Sequence, residues 1–370
     1  MLEGLNAFDL DSPALSIDLN KVEKNLSAMQ KKADAFGVSL RPHIKAHKIP
    51  KLAKMQIQKG AKGITASKIG EAEVMVDAGI KDIFIANQIV TETKANRLVD
   101  LSKRAIISVG LDSIAGAKIL SQVFYDAKEI IDYLIEIDSG LNRCGVPPGR
   151  PAIEFYKAVE HFSGIRFKGI FTHAGQVYGK QNLEEVKNVS RLESGLMIET
   201  AMCFKEQDVN PEVVSVGSTP TIRVWEGCTG INEIRPGNYI FLDAIQVGLG
   251  VAEPQECALT VLATVTSRPD SGRAVIDAGS KVFALDKGAH GKETVKGFGK
   301  VLGKKAVIER LSEEHGIMSV DSNEKLEIGE QLTIIPNHAC TVINLSDKAY
   351  GIRNGQIEAV FKIAGRGKVQ

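Results

Sequence analysis

The sequence predicts a (β/α)8 TIM-type barrel followed by a C-terminal β domain. Strand-like and helical segments alternate over the first two thirds of the 370 residues. The strand-like segments, such as IFIA and YLIEI, are nearly continuous apolar runs, which is typical of parallel strands covered by helices on both faces. After about residue 255 the helical period almost disappears. A doubly wound open sheet is the alternative for the first part.

The elements of the first part follow one another at regular spacing. Residues 14–19 predict the first strand, and Asp18 or Asn20 can cap a helix from Lys21 to about Ala35. A second strand begins at Val38 and leads into RPHIKAHK, after which Pro50 opens another helix. Further strands are expected at 63–66, 82–86, 105–111, 131–137, 167–171 and 213–216, with a long helix near 183–205.

Polar residues stand at the ends of these predicted strands. Lys45, His173 and Ser218 each lie just past the C-terminal end of one. Barrel enzymes build their active sites on this face of the barrel, so the placement favours a barrel over an open sheet.

The second part reads as a separate β domain. Its segments ALTVLATVTSR, RAVIDAG, QLTIIPN and TVINLS are rich in branched residues and separated by turn residues. We expect the barrel to span 14–250 and the β domain 255–370. Residues 1–13 are expected to pack with the β domain, and the tail GRGKVQ is expected to fray.

Composition excludes several classes of protein. The chain has 46 Lys plus Arg and 45 Asp plus Glu, a formal net charge of +1, which argues against a general nucleic-acid or membrane-surface protein. The five cysteines form no CxxC pair, and the N-terminus does not resemble a signal peptide. A cytoplasmic location is expected.

Two segments could bind a cofactor. In RPHIKAHK (41–48), a lysine crowded by like charges would have a lowered pKa and could act as a Schiff-base nucleophile, although a solvated basic loop is the simpler interpretation. In SVGSTPT (215–221), the backbone N–H groups and small hydroxyl residues could cradle a phosphate, although small-residue turns are common.

A third segment could bind a metal. In PNHACTV (336–342), His338 and Cys340 are two residues apart in a stretch expected to be extended, so their side chains would share one face and could hold a zinc-type ion. A core cysteine beside a surface histidine is the alternative. Other strand-end candidates are Arg143 for an anionic oxygen, Gln176 and Tyr178 in THAGQVYG, and Gly237, Asn238 and Tyr239 in RPGNYIFLD.

Taken together, these segments resemble a known family. RPHIKAHK, IDSGLNRCGV, THAGQVYG, SVGSTPT, EIRPGNYIFLD, DAGSKVFALDKG and PNHAC occur in the order and spacing of D-threonine aldolases and eukaryotic-type D-serine dehydratases, over almost the whole chain. These are pyridoxal 5'-phosphate (PLP) enzymes with an alanine-racemase-like barrel and a β domain.

The resemblance implies a role for each candidate residue. Lys45 would carry PLP, and Ser218, Thr219, Gly237, Asn238 and Tyr239 would hold its phosphate. Arg143, Gln176 and Tyr178 would contact the ring or its substituents, with His173 and His47 behind them. His338 and Cys340 would hold a divalent metal, for which zinc is favoured and manganese is an alternative.

The implied function is a lyase acting on small D-β-hydroxy amino acids. Dehydration of D-serine or D-threo-3-hydroxyaspartate type substrates would give a keto acid and ammonia, and retro-aldol cleavage of D-threonine would give glycine and an aldehyde. Cys340 tilts the prediction toward dehydration, because well-known aldolases of the family have aspartate there. A racemase, a non-catalytic PLP-binding protein and a protein-interaction module are the rivals. The resemblance also implies a homodimer.

Overall fold

The computed structural model describes residues 4–289 and 293–370. The expected position of residues 1–13 beside the β domain therefore falls partly outside the described residues. Within them, the strands are β1 (Ala14–Asp18), β2 (Ser39–Leu40), β3 (Ile64–Ala66), β4 (Asp82–Gln88), β5 (Ile106–Leu111), β6 (Ile131–Ile137), β7 (Ile165–Thr172), β8 (Val213–Val216), β9 (Glu233–Ile234), β10 (Leu259–Asp270), β11 (Arg273–Ile276), β12 (Lys300–Val301), β13 (Ala306–Leu311), β14 (Gly316–Val320), β15 (Gln331–Ile335), β16 (Lys348–Arg353) and β17 (Gln356–Lys362).

Helices connect most of the strands in the first part of the chain. Short 3-10 turns occur as well, including Ile44–Ala46, Gly175–Gly179 and Asn238–Ile240. Within the described residues, the α-helices are α1 (Leu19–Ala35), α2 (Pro50–Gln58), α3 (Ile69–Asp77), α4 (Glu92–Ser102), α5 (Ile114–Asp126), α6 (Arg150–Val159), α7 (Leu183–Lys205), α8 (Thr219–Val224), α9 (Ala244–Gly248), α10 (Ser280–Phe283) and α11 (Ala339–Leu345).

The predicted barrel is confirmed. Strands β2 to β9 form one parallel sheet in the order β2-β9-β8-β7-β6-β5-β4-β3. A parallel bridge between His43 and Thr65 joins the β2 end of this sheet to β3, so the ring closes. Inside it, the buried Arg41 guanidinium lies 2.6 Å from Asp82 and 2.9 Å from Glu233, and these carboxylates compensate its charge.

The first strand belongs to the other sheet, which corrects the prediction that it opens the barrel. β1 pairs antiparallel with β10 and parallel with β16. Its alternating apolar pattern is satisfied on either sheet, so the sequence alone could not choose between partners more than 200 residues away. The helix that follows is as predicted: Asp18 caps α1 by accepting a hydrogen bond from Lys21 N.

The second sheet is a β barrel with an extension. Among the described residues it runs β11-β14-β13-β12-β15-β10-β1-β16-β17, and a further pairing of β10 with β11 closes its first six strands. Buried apolar residues of both sheets, such as Ile17, Ile135 and Val261, form one continuous cluster. The two parts of the chain therefore share a core, which fixes the β barrel against the (β/α)8 barrel.

The C-terminal tail is docked rather than frayed, which corrects the prediction. Gly365 N donates to Lys48 O at 3.0 Å, and Gly70 N donates to Gln370 O at 2.9 Å. The buried Lys48 ammonium lies 3.1 Å from Glu71. Backbone hydrogen bonds, rather than apolar side chains, thus hold the tail on the segment that follows Lys45.

No helix in the described part of the chain is long and apolar enough to cross a bilayer.

Candidate active site

Two adjoining cavities lie at the C-terminal ends of the barrel strands. They measure about 260 and 250 Å³. Both are lined by His43, Lys45, His173, Gly217 and Arg235. Lys45, His173 and Ser218, which the sequence placed just past strand ends, all line the second cavity. This is the face of the barrel on which an active site was expected.

Lys45 stands where the two cavities meet. It lies on the 3-10 turn after β2, and the His43 side chain fixes this turn by accepting a hydrogen bond from Lys45 N at 3.3 Å. Burial lowers the pKa of the Lys45 ammonium, and the nearby Arg143 and Arg235 lower it further, although Cys340 and Glu71 oppose them. A lysine with a lowered pKa is more often uncharged at neutral pH, and the uncharged amine is the nucleophile.

Arg235 is a site residue that the sequence reasoning missed. It follows β9 directly, it is 5% exposed, and it lines both cavities. Its guanidinium donates to the Ser215 hydroxyl and the Thr172 carbonyl and lies over the rings of Phe84 and Phe171. Its position in the RPGNYIFLD segment, immediately after a strand, was the signal that could have identified it.

The predicted phosphate-binding residues come together in the second cavity. Ser218, Thr219, Gly237 and Asn238 all line it. Ser218 caps α8 through a mutual contact with Thr221, and the Thr219 hydroxyl accepts a hydrogen bond from Tyr239 N at 3.0 Å. The loops after β8 and β9 are therefore tied to each other. Hydroxyl groups, a carboxamide and the two glycines Gly217 and Gly237 lie on one wall, and they suit an anion that the backbone must approach closely.

Two predicted residues do not line either cavity. The Tyr239 hydroxyl is buried and accepts a hydrogen bond from Gln56 Nε2 at 3.1 Å, so its side chain supports the cradle from the core. Gln176 Nε2 donates to Ser139 O at 2.8 Å, which turns the amide toward the loop after β6. Their predicted contacts with the cofactor stay predictions.

Arg143 and Tyr178 line different cavities, and Lys45 lines both of these cavities. Arg143 lines the first cavity, and its guanidinium is 3.5 Å from the buried Glu136 carboxylate. Tyr178 lines the second cavity, where its hydroxyl interacts with Gln246. Burial raises the pKa of Tyr178, and Cys340 and Asp243 raise it further. The tyrosine therefore remains a neutral hydrogen-bond donor.

His338 and Cys340 also line the second cavity, although their local structure differs from the prediction. The segment is not an extended strand: His338 is the N-cap of α11, and Cys340 lies in its first turn. The helix forms because Ala339, Val342 and Ile343 bury one face at helical spacing. The two side chains nevertheless line the same cavity, because His338 and Cys340 both lie at the start of α11.

The surroundings of His338 stabilise the protonated, positively charged form of its imidazole. Burial alone would lower its pKa, but Cys340, Asp286 and Asp243 outweigh burial and raise the pKa of His338 to about 10. Asp286 Oδ2 lies 3.3 Å from His338 Nδ1 and accepts a hydrogen bond from Thr341 Oγ1 at 2.7 Å. This leaves Nε2 of His338 as the ring nitrogen available to a ligand. An imidazole nitrogen beside a sulfur is a donor set that zinc accepts.

The comparisons with known proteins agree with this geometry. The model of the alanine racemase N-terminal domain family matches residues 17–244, and that of a putative serine dehydratase domain matches residues 258–352. The first match covers more than half of the chain. The chain belongs to the alanine racemase N-terminal domain family. Its β domain matches the dehydratase model, as the sequence resemblance implied.

Individual relatives of this family are similar over nearly their full length. A D-threonine aldolase from Arthrobacter sp. is 32% identical, with 97% of this chain and 93% of that protein covered. A D-threo-3-hydroxyaspartate dehydratase from Delftia sp. is 32% identical, with 90% of this chain and 91% of that protein covered.

Solved structures of this family have the same fold. The D-threonine aldolase from Filomicrobium marinum superposes with a TM-score of 0.90 at 33% identity, covering 100% of this chain and 99% of that one. A cysteine-to-alanine variant of the D-threo-3-hydroxyaspartate dehydratase, solved in a metal-free form, also has a TM-score of 0.90, at 30% identity, with 97% and 98% covered.

Proposed function

We propose that this protein is a PLP- and divalent-metal-dependent lyase of D-β-hydroxy amino acids, with dehydration to a keto acid and ammonia as its main reaction. One observation carries the proposal: a cavity lined by Lys45 is also lined by a small-residue anion cradle and by His338 and Cys340. A nucleophilic amine, an anion site and a metal-type donor pair are the three parts that this chemistry requires.

The residues present suit PLP. Lys45 provides the amine for its aldehyde, and Ser218, Thr219, Gly237 and Asn238 provide the wall for its phosphate. A Cβ atom at Gly217 would meet Ile222 Cγ1 at 2.5 Å, so this wall requires glycine. When bound, PLP supplies an electron sink for bond breaking at the substrate Cα. Burial lowers the pKa of the Lys45 amine, and Arg143 and Arg235 lower it further.

The residues beside Lys45 also suit a divalent ion. His338 and Cys340 would hold it, and zinc is the ion that their nitrogen and sulfur donors favour, with manganese as an alternative. When bound, such an ion supplies Lewis acidity at the substrate β-hydroxyl. Among the similar solved structures, a cysteine-to-alanine variant of the dehydratase is a metal-free form.

The protein's own groups then move protons. The amine of Lys45, once free of PLP, is the base that takes the Cα proton, and burial lowers its pKa, which favours the uncharged form that a base requires. Tyr178 keeps its proton, because burial raises its pKa, and it lines the same cavity as the metal donors. His173 lines both cavities and is a second candidate for proton transfer.

Retro-aldol cleavage is the second candidate reaction. The sequence identity to the aldolases of Arthrobacter and Filomicrobium is 32% and 33%, about the same as the 32% identity to the dehydratase, and this favours cleavage as an alternative. Cys340 supports dehydration by resemblance to the dehydratase branch. In cleavage the first proton is taken from the β-hydroxyl of the substrate, whereas in dehydration it is taken from Cα.

Product analysis from D-serine and D-threonine tests this proposal. The holoenzyme with zinc is expected to release pyruvate and ammonia from D-serine. Glycine and acetaldehyde from D-threonine, without keto acid from either substrate, would establish the aldolase instead. L-serine as the sole product would establish a racemase, and no turnover of either D-amino acid would refute the lyase.

The same proposal includes the oligomeric state, the cellular location and the domain boundary of the protein. The chain would act as a homodimer in the cytoplasm on small D-amino acids. Its (β/α)8 barrel and β domain would divide near residues 250–255, with β1 in the β domain. The pairing of β1 with β10 and β16 supports this division, and limited proteolysis that cuts between the domains would test it.

A further inference from the structure

Asp243 lies between the phosphate wall and the metal donors. It is fully buried, and it lines the second cavity at the start of α9. Its Oδ2 accepts two hydrogen bonds, from Asn238 Nδ2 at 2.6 Å and from Ala339 N at 2.9 Å. Asn238 belongs to the phosphate wall, and Ala339 separates His338 from Cys340. One carboxylate oxygen therefore touches both halves of the site.

The backbone extends this connection. Ala244 N donates to Pro336 O at 3.1 Å, and Ile245 N donates to Asn337 O at 3.2 Å. The residues after Asp243 are thus held along the segment that leads into His338. A displacement of either segment would break hydrogen bonds of buried groups, and a buried polar group without a partner is costly.

The geometry points to Asp243 as a positioning residue that makes PLP and the divalent ion bind cooperatively. This inference rests on the proposed function, because it requires both ligands. Whichever binds first fixes the shared carboxylate and the segments on either side, so the second binds to a site already in place. Linkage then requires that each ligand increase the affinity of the other by the same factor.

The substitution Asp243→Asn separates this role from the helix cap. Asp243 Oδ1 accepts a hydrogen bond from Gln246 N at 3.2 Å, and asparagine caps a helix about as well as aspartate. If the asparagine oxygen accepts the hydrogen bond from Gln246 N, the NH2 group of the asparagine faces Asn238 Nδ2 and Ala339 N. Both of these groups are donors, so the two hydrogen bonds that join the halves of the site are lost. Asp18→Asn is the matched control, because Asp18 caps α1 through Lys21 N away from both cavities.

The experiment measures the affinity of the protein for each ligand in the presence and in the absence of the other ligand. PLP is titrated into the apoprotein by absorbance, with zinc or with a chelator, and zinc is titrated with and without PLP against a competing dye. We expect each ligand to tighten the other by the same factor, about 5-fold or more, in the wild type and in D18N. In D243N the factor should fall to near 1.

Several outcomes overturn the inference. Independent binding of PLP and zinc in the wild type does so without any variant, which covers the case in which D243N fails to fold. Cooperativity that persists in D243N also does so. Failure of the proposed function looks different: zinc would bind equally well after His338→Ala and Cys340→Ala, or PLP would bind equally well after Lys45→Ala.

Discussion

At the scale of single residues, His338 depends on a partner that lies 52 residues earlier in the chain. The Asp286 carboxylate, 3.3 Å from Nδ1, favours a proton on that nitrogen and so leaves Nε2 as the possible metal ligand. A carboxylate behind a ligating histidine fixes the orientation of the ring and raises its basicity, and losing it typically costs 10–100-fold in metal affinity or activity.

Asp286→Asn should therefore weaken zinc binding by roughly 10- to 100-fold, as measured by competition with a chromophoric chelator. PLP binding through Lys45 should change little. Asp321→Asn, at an exposed turn, is the control and should bind zinc like the wild type. An unchanged zinc affinity in D286N would show that the carboxylate does not orient the ligand.

His47, which the resemblance placed behind the active site, has a structural role. It is fully buried, its Nδ1 accepts a hydrogen bond from Ile49 N at 3.0 Å, and its Nε2 lies 3.3 Å from Gln56 Oε1. Burial lowers the pKa of His47 from 6.5 to about 4, although both hydrogen bonds oppose the shift. The unfolded chain therefore binds a proton on this histidine more readily than the native one.

The free energy of unfolding should consequently fall as the pH drops from about 6.5 to 4. The pKa difference of about 2.5 corresponds to about 3 kcal/mol for this one group. His47→Asn cannot be protonated, so urea unfolding at a series of pH values should show a shallower decline in this window. His315→Asn, at an exposed position, should follow the wild type. Parallel curves for wild type and H47N would contradict the assignment.

The sequence located residues that follow strands and line the cavities, such as Lys45 and Ser218, because strand ends can be found from the local hydrophobic pattern. It did not identify Asp243 or Asp286. Neither has a local signature, because each acts through a hydrogen bond to the distant segment 338–341.

At the scale of elements, the turn from β8 to α8 is the proposed phosphate wall, and Gly217 sets its shape. This residue has a φ of +110°, which side chains disfavour, and a Cβ there would come within 2.5 Å of Ile222 Cγ1. The turn is therefore specified by its glycine as much as by its hydroxyl residues.

Gly217→Ala should cost about 1–3 kcal/mol of strain, and PLP affinity should fall by about tenfold in an equilibrium titration. Gly195→Ala in α7 is the control, since a Cβ there meets nothing within 4 Å. It should leave PLP affinity unchanged and stabilise the helix by about 1 kcal/mol. Equal PLP affinity in G217A and G195A would exclude the turn as the phosphate wall.

Element type was harder to predict for α11 than for the barrel helices. The sequence TVINLS has branched residues that favour a strand, yet only the positions 339, 342 and 343 are buried, and they lie on one helical face. Tertiary packing thus overrode local preference in a segment of seven residues.

At the scale of the whole molecule, the β barrel brings His338 and Cys340 to the mouth of the (β/α)8 barrel. The sequence predicted strands β2 to β8 of the (β/α)8 barrel in consecutive order, because each βα unit adds the next strand, but it missed the two-residue strand β9. The position of β1 did not follow, because its partners β10 and β16 come from the other end of the chain. The docked tail was missed for a similar reason, since its hydrogen bonds to Lys48 and Gly70 involve backbone atoms.

The central claim is that PLP is joined to the amine of Lys45. Reduction of the PLP-loaded protein with borohydride, followed by proteolysis and mass spectrometry, tests it most directly. We expect a single pyridoxyl group on the peptide that contains Lys45, and none after Lys45→Ala. A label on another lysine, or no label on a protein that has bound PLP, would contradict the account.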